Sequence, residues 1–264
     1  MDKNNEQELI NLVTKWTDHF KCRKDFRRWR EKRIWQENYQ QDTTKFLERV
    51  IPNLKHKKIL DLGCGMGGLL IALRRKGFNV TGLDFNIDYC EITKLRGKRY
   101  NLDIEVINAK AEKIPIEDHS FDLIICKDVL EHVQSPKELL RESKRILKQN
   151  GQLLISVTNR FSYVDPHYHI RFIDWFPIKI GDFILRKASK KDISNFQDNQ
   201  ALSQMHYYTI KSFEKLVRKI NFASYFNLTE RKINNKHEWY FKTPFLKSMI
   251  INFYLSSWNY ILTK

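Results

Sequence analysis

From residue 57 onward, short runs of aliphatic and β-branched residues alternate with segments of helical pattern. In order they read KKILDL, GGLLIALRRKG, NVTGLD, a further helical stretch, IEVINA, FDLIIC, SPKELLRESKRILKQNG and QLLISVT. Strands that are apolar on both faces and separated by helices can be buried only in a parallel sheet with helices on each side. The expected fold is therefore a doubly wound α/β sheet. Pro136 and Gly151 bracket the SPKELL helix as start and stop signals. With 264 residues and 42% hydrophobic content, the chain can bury one full core with additions around it. We expect a helical N-terminal arm over 1–56, a ligand-binding core over 57–158, a cap insertion over 159–208, the remainder of the sheet over 209–243, and an apolar helix over 244–264.

The stretch KILDLGCGMGGLL, residues 58–70, carries four of the chain's nine glycines. In an open α/β sheet, ligands lie beyond the carboxyl ends of the strands, where a glycine turn lets the backbone come close. Gly63, Gly65 and Gly68 satisfy G-x-G-x-x-G, which by itself admits a dinucleotide. Two acidic residues point elsewhere: Asp61 introduces the turn, and Asp84 ends the next strand in GLDFN. A carboxylate at Asp84 can accept both ribose hydroxyls. An acid ahead of the turn suits a cationic ligand, and S-adenosylmethionine carries a sulfonium and an ammonium.

The blocks KILDLGCGMGG, VTGLDFN, NAKAEKIPIEDHSFDLIICKDVLEHV and PKELLRESKRILKQNGQLLISV stand in the order found in class I S-adenosylmethionine-dependent methyltransferases of the type 11 kind. The resemblance covers about residues 57–160 and implies a Rossmann-like methyltransferase sheet. It also implies that Asp61, Gly63, Cys64 and Gly65 line the methionine moiety, Asp84 holds the ribose and Phe85 covers one adenine face. Ala111 and Glu112 would flank the other adenine face, and Lys127 would meet the cofactor after the fourth strand. Many relatives read Gly-Asp-Ala-Glu where this chain reads Ala109, Lys110, Ala111, Glu112. Adenine would then be read by backbone groups or held less tightly.

Because the cofactor supplies the electrophile, the protein must position the nucleophile and can take its proton. Two stretches offer a base. If a helix begins at CKDVLEHV, Asp128, Glu131 and His132 share one face at i, i+3 and i+4. This set resembles the Glu-x-x-Glu-His metal ligands of ubiquinone-biosynthesis and small-RNA 2′-O-methyltransferases, with Asp128 in place of the first Glu. The metal-free reading, in which Glu131 and His132 support the cofactor loop, is preferred. The second stretch is DPHYH, with MHYYT at the far end of the cap. There His167, His169 and His206 are candidate bases near neutral pH. The catalytic candidates are His132, His167 and His169.

Of the net charge of +16, +9 falls in residues 159–264. Such a surplus favours anionic partners. The basic aromatic run from Lys21 to Trp35 could hold phosphates while Phe26 and Trp29 stack on bases, or Cys22, Phe26 and Trp29 could form the buried stripe of a helix. The stripe is favoured. Cys22, Cys64, Cys90 and Cys126 stand far apart and read as buried thiols. In TPFLKSMIINFYLSSWNYILTK, the polar residues Ser248, Asn252, Ser256, Asn259 and Thr263 recur at helical intervals. That helix would dock on its own domain, dimerise or lie at a membrane surface. Without a leader or spanning segment, we expect a cytoplasmic protein, peripheral to a membrane at most. The expected activity is O-methylation of a small-molecule, glycan or lipid-linked acceptor, anionic in character. RNA methylation and a non-catalytic cofactor-binding subunit that activates a partner are the alternatives.

Overall fold

The computed structural model describes residues 3–21, 23–192, 201–229 and 255–264. There are two compact units, Met1–Ile125 with Arg145–Gly151, and Cys126–Lys144 with Gln152–Lys264. The strands hydrogen-bond in the order β3-β2-β1-β4-β5-β7-β6.

In the first unit, β1 (Lys58–Leu62), β2 (Asn79–Asp84), β3 (Val106–Asn108) and β4 (Phe121–Cys126) run parallel, with Asp61 opposite Gly82 and Ile125. Strand order reverses beside β1: β2 and β3 lie to one side and β4 to the other. The carboxyl end of β1 is thus a topological switch point, where such sheets bind ligands. Ile59, Leu60 and Leu62 of β1 and Leu123, Ile124 and Ile125 of β4 are fully buried. This is the all-apolar strand chemistry that a sheet covered on both faces requires. The helices α4 (Gly68–Arg75) and α5 (Ile87–Lys98) follow β1 and β2. Asn86 caps α5, its side-chain oxygen accepting from the N–H groups of Asp88 and Tyr89.

The N-terminal segment holds α1 (Lys3–Thr17), α2 (Phe26–Ile34) and α3 (Gln41–Val50). Leu9 and Val13 of α1 pack with Met66, Ile92 and Leu95, so the arm seats directly on the glycine turn and α5. Trp29 is buried and stacks on Trp16 with ring centroids 6.0 Å apart. It is a core residue and does not present a face for a base; Cys22 lies outside the described residues.

A short 3-10 turn, Gln36–Tyr39, carries Glu37 into the interior. Its carboxylate accepts from Arg96 Nη1, from Arg99 Nη1 at 2.7 Å and from the Tyr100 hydroxyl at 2.9 Å. Arg99 also forks onto both oxygens of Glu6 at 2.8 Å. Arg96 donates from Nε to the Met66 carbonyl at 2.8 Å, which ties the network to the glycine turn. Arg96 is itself fully buried.

The second unit holds most of α6 (Pro136–Ile146) and β5 (Leu147–Thr158), then α7 (Ile178–Asp192), α8 (Ile210–Ile220), β6 (Ser224–Asn227) and β7 (Ser257–Thr263). α6 stops at Ile146 and Gly151 falls inside β5, so the helix is shorter than its Pro and Gly signals suggest.

The expected C-terminal helix over 244–264 is corrected. Residues 257–263 are strand β7, antiparallel to both β5 and β6. The physical reason lies in the side chains. Trp258, Tyr260 and Leu262 alternate and are fully buried, a period of two that competes with the polar stripe of period near 3.5. Pairing on both edges supplies backbone hydrogen bonds that a docked helix would have to make internally. Residues 244–254 of that expectation lie outside the described residues. Among the described residues no helix is long and apolar enough to cross a membrane.

Candidate active site

The first unit carries the glycine turn and Asp84. After Leu62 the chain turns through Gly63, Gly65 and Gly67 at φ 74°, 54° and 79°. A Cβ at Gly67 would come within 2.5 Å of the Thr93 side chain as well as being strained. At Gly65 a Cβ would meet nothing within 4 Å, so the turn faces open space there. Beside that space stands Asp84, whose Oδ2 accepts the Gly65 N–H at 2.8 Å and whose Oδ1 accepts the Asn86 N–H at 2.9 Å. Each oxygen keeps a further lone pair for a ligand hydroxyl. Burial pushes the Asp84 carboxyl up, against the opposing pull of the N–H bonds from Asn86, Gly65 and Phe85.

Phe85 stands 72% exposed and Ile87 63%, so two bare apolar side chains lie next to the buried carboxylate. Asn108 fixes this corner, donating from Nδ2 to the carbonyls of Asp84 at 3.1 Å and Phe85 at 2.9 Å. Sequence reasoning missed Asn108, a polar residue at the end of a short strand. Asp61 and Ala111 are buried and Glu112 is half-buried. Cys64 is buried, and burial, then the charges of Asp61 and Asp84, hold its thiol well above the ordinary range. It is an inert liner of the turn. Lys127 is exposed and belongs to the second unit.

The second unit carries a titratable cluster. No helix begins at residue 128: Asp128 adopts φ 56°, and only a single turn follows, closed by the His132 N–H on the Val129 carbonyl at 2.9 Å. Asp128 instead engages Ser156, whose hydroxyl donates to Oδ1 at 3.1 Å and accepts the Asp128 N–H at 2.6 Å. The expected grouping of Asp128 with Glu131 and His132 is therefore corrected. A left-handed residue at its first position breaks the i, i+3, i+4 face.

His167 takes the place of Asp128. Its Nε2 lies 3.5 Å from Glu131 Oε1, and its ring meets that of His132 edge-on with centroids 5.0 Å apart. Glu131 is 2% exposed. Its Oε1 accepts the Thr158 hydroxyl at 3.0 Å, its carbonyl accepts the His206 N–H at 3.0 Å, and its Oε2 has no hydrogen-bond partner. Burial pushes Glu131 up, but the hydrogen bond from His167, the backbone and the nearby imidazoles outweigh it and hold the carboxyl below its ordinary value. His169 is exposed at φ 56° and is not part of the group of Glu131, His132 and His167. His206 contributes a backbone contact.

Behind His167 runs a chain of hydrogen bonds. Tyr207 donates from Oη to Asp165 Oδ2 at 2.8 Å, so the phenol oxygen is left to accept from His167 Nδ1 at 2.9 Å. Asp165 Oδ1 accepts the N–H groups of His167 at 2.7 Å and Tyr168 at 2.5 Å. With the Tyr207 proton spent on Asp165, the neutral ring carries its proton on Nδ1, and a second proton taken up at Nε2 is the one that can be donated to Glu131. Burial, then Asp165 and Asp174, push the Tyr207 phenol far above its ordinary value, so it remains a donor.

Asp174, 1% exposed, lies against Asp165 with no donor from other side chains reaching its oxygens. Burial and the Asp165 charge push it up to about 9. Asp174 therefore keeps its proton at neutral pH. Because the native state keeps a proton that the unfolded chain has lost above pH 4, this site makes stability fall as pH rises toward 9, at a slope of about 1.4 kcal/mol per pH unit. Asp174→Asn should remove that slope. Urea titrations at several pH values between 5 and 9 check it, and parallel stability curves for both proteins would refute it.

The sheet order, the glycine turn at a switch point and the buried acid ending β2 define a nucleotide-binding α/β fold of the Rossmann-like kind. Residues 60–155 match the methyltransferase domain family. The chain is 27% identical over 157 residues to the ubiquinone biosynthesis O-methyltransferase of Citrobacter koseri, a match covering 57% of this chain and 63% of that protein. The chain thus spans less than two thirds of that relative. A crystal structure of an S-adenosylmethionine-dependent methyltransferase from Thermotoga maritima superposes with TM-score 0.52 at 17% identity, covering 91% of this chain and 94% of that one. Phosphoethanolamine N-methyltransferase 2 of Haemonchus contortus, in complex with phosphomonomethylethanolamine and S-adenosylhomocysteine, superposes with TM-score 0.53 at 18% identity, covering 84% of this chain and 52% of that one. The fold is that of S-adenosylmethionine-dependent methyltransferases.

Proposed function

We propose that the chain is an enzyme that transfers the methyl group of S-adenosylmethionine to an oxygen of a small-molecule, glycan or lipid-linked acceptor. The observation that carries this reading is the pairing of His167 Nε2 with Glu131, behind a Tyr207–Asp165 brace. The cofactor supplies a methyl group on a sulfonium, an electrophile that needs only a correctly placed nucleophile. Asp84 accepts from the ribose, the turn at Gly65 makes room for the nucleotide, and Phe85 covers the adenine.

His167 Nε2 would take the proton of the acceptor hydroxyl, while bound S-adenosylmethionine would supply the methyl group, its methyl carbon–sulfur bond breaking to leave the neutral thioether. The imidazolium so formed lies against Glu131, which stabilises it. The brace holds the ring and its tautomer in place. Oxygen as the acceptor atom follows the Citrobacter koseri relative, whose name gives an O-methyltransferase.

A second reading rests on the unpartnered Glu131 Oε2. Ligand atoms of Glu131, His132 and His167 lie within 4.8 Å of one another, and one carboxylate with two imidazoles suits a divalent transition metal. Held there, a metal would lower the pKa of a bound hydroxyl. Activity that survives chelation supports the base, and activity restored only by added metal supports the ion.

The test is transfer of radiolabelled methyl into cell extract fractionated into lipid, RNA, protein and small-molecule pools. Label in the lipid or small-molecule pool is expected. Label in RNA would favour the nucleic-acid reading, and cofactor binding without transfer would favour an activating subunit. In calorimetric titration with S-adenosylhomocysteine, Asp84→Ala and Gly65→Val should each weaken binding about tenfold or more.

A further inference from the structure

The segment that follows β5 is built inside out. Of the twelve large apolar side chains exposed among the described residues, seven fall between Phe161 and Phe183. Trp175, Phe176, Ile178, Ile180 and Phe183 are each more than 40% exposed. The acidic residues of the same stretch are turned inward: Asp165, Asp174 and Asp182 are all buried, and Asp182 accepts the Ser203 N–H at 3.3 Å. Its basic residues Arg171, Lys179, Arg186 and Lys187 are exposed. Soluble surfaces do the opposite, keeping carboxylates out and aromatic groups in.

On α7, Ile180, Phe183 and Lys187 stand at i, i+3 and i+7 and so share a face, with Lys187 Nζ 4.7 Å above the Phe183 ring. Lys179 and Arg186 flank them. The result is an aromatic and aliphatic patch ringed by cations, with no carboxylate exposed between residues 160 and 187.

We propose that residues 171–187 seat the protein on a bilayer containing anionic lipid. Trp175, Phe176, Ile180 and Phe183 enter the interfacial region, and Arg171, Lys179, Arg186 and Lys187 meet lipid phosphates. Charge decides the occupant. A second copy of this chain docked about a two-fold axis would press four cations against their own equivalents, at a repulsive cost. Nucleic acid offers the phosphates but nothing to cover Ile178 and Ile180, which cannot stack on bases as aromatic rings do. A lipid surface satisfies both halves at once: tryptophan and phenylalanine partition to the headgroup boundary, and lysine and arginine are drawn to anionic headgroups. This docking surface does not depend on the acceptor or on the catalytic role of His167.

Co-sedimentation of the full chain with phosphatidylcholine vesicles, and with vesicles of equimolar phosphatidylcholine and phosphatidylglycerol, tests it. Binding is expected to the mixed vesicles, with little to phosphatidylcholine alone. A chain this basic will attract anionic vesicles through charge anywhere on its surface, so the deciding variant leaves charge untouched. Ile180→Ser combined with Phe183→Ser should lower the affinity for mixed vesicles about tenfold or more, the thermal transition remaining in place because both sites are exposed. Lys179→Glu combined with Lys187→Glu should abolish the preference for phosphatidylglycerol. Equal binding by wild type and the Ile180/Phe183 variant overturns the proposal. So does a concentration-dependent dimer in sedimentation velocity that the same variant dissolves, since the patch would then be an interface between copies.

Discussion

Replacing Glu37 with alanine will lower the free energy of unfolding by about 3–5 kcal/mol, more than any single apolar truncation at the surface of the N-terminal arm. The cause is what remains behind. Arg96 is fully buried and Arg99 nearly so, and both guanidinium groups converge on the one carboxylate. Without it two like charges stand in the interior, Arg99 retaining Glu6 as its acidic partner and the Ile34 carbonyl as an acceptor. Glu37→Gln should cost less, because an amide oxygen can still accept while the charge is lost.

The effect also has a pH signature. Burial pushes the Glu37 carboxyl up, but the Arg96 charge, the backbone and the bonds from Arg99 and Tyr100 overcome it and hold it below its ordinary value. Its folded-state pKa is thus depressed, so its contribution is complete above the unfolded pKa of about 4.3 and is lost as pH falls through the lower folded value. Urea unfolding at neutral pH, with an unchanged m-value, measures the difference. A loss below about 1 kcal/mol would show that the network is solvated and replaceable.

Changing His167 to alanine should reduce kcat by about 10²- to 10⁴-fold while leaving S-adenosylhomocysteine affinity within twofold of wild type, the expected signature of a lost general base. Gly65 and Asp84, to which we assign the cofactor, belong to the other unit and hydrogen-bond to each other there, a contact in which His167 takes no part. Tyr207→Phe keeps the ring and removes the hydroxyl that links His167 to Asp165. It should cost less than the removal of His167 and act on kcat more than on KM, because it loosens orientation without removing the basic nitrogen. Unimpaired turnover by the His167 variant would end both the base assignment and the metal-ligand reading, since each uses this imidazole, and would point to a different acceptor chemistry.

Much of the first unit could be read from residue order alone. KKILDL, NVTGLD and FDLIIC are strands because uninterrupted aliphatic runs of that length have nowhere to go but a doubly covered sheet. The turn at Gly63 to Gly67 follows because positive φ needs glycine. Harder to foresee were pairings between distant residues. Glu37 looks like an ordinary exposed acid in QENY until Arg96 and Arg99 arrive some sixty residues later.

The same holds for the candidate site. His132 and His167 were each visible as imidazoles of the right kind, yet only tertiary structure brings them to one carboxylate and leaves His169 outside. Local pattern also misled twice. The spacing of Asp128, Glu131 and His132 fits a helix that a left-handed Asp128 prevents. The polar residues of SSWNYILTK fit a helical stripe, while Trp258, Tyr260 and Leu262 simultaneously fit a strand. Where two periods coexist in seven residues, the partner strands decide.

Strand β7 is hydrogen-bonded on both edges, Gln152 pairing with Thr263 and Thr158 with Ser257 on one side, and Ser224 with Thr263 on the other. The β5 edge therefore waits for a partner on the order of a hundred residues downstream, and loop closure of that span is slow compared with the local β1–α4–β2 unit. During refolding the apolar β5 ladder, with Leu153, Ile155 and Val157 ready to pair, is a bare template for other chains. Yield on refolding should accordingly depend on protein concentration far more than on denaturant removal rate, and the latecomer that quenches this hazard is a segment whose composition looks, on its own, like the tail of a helix.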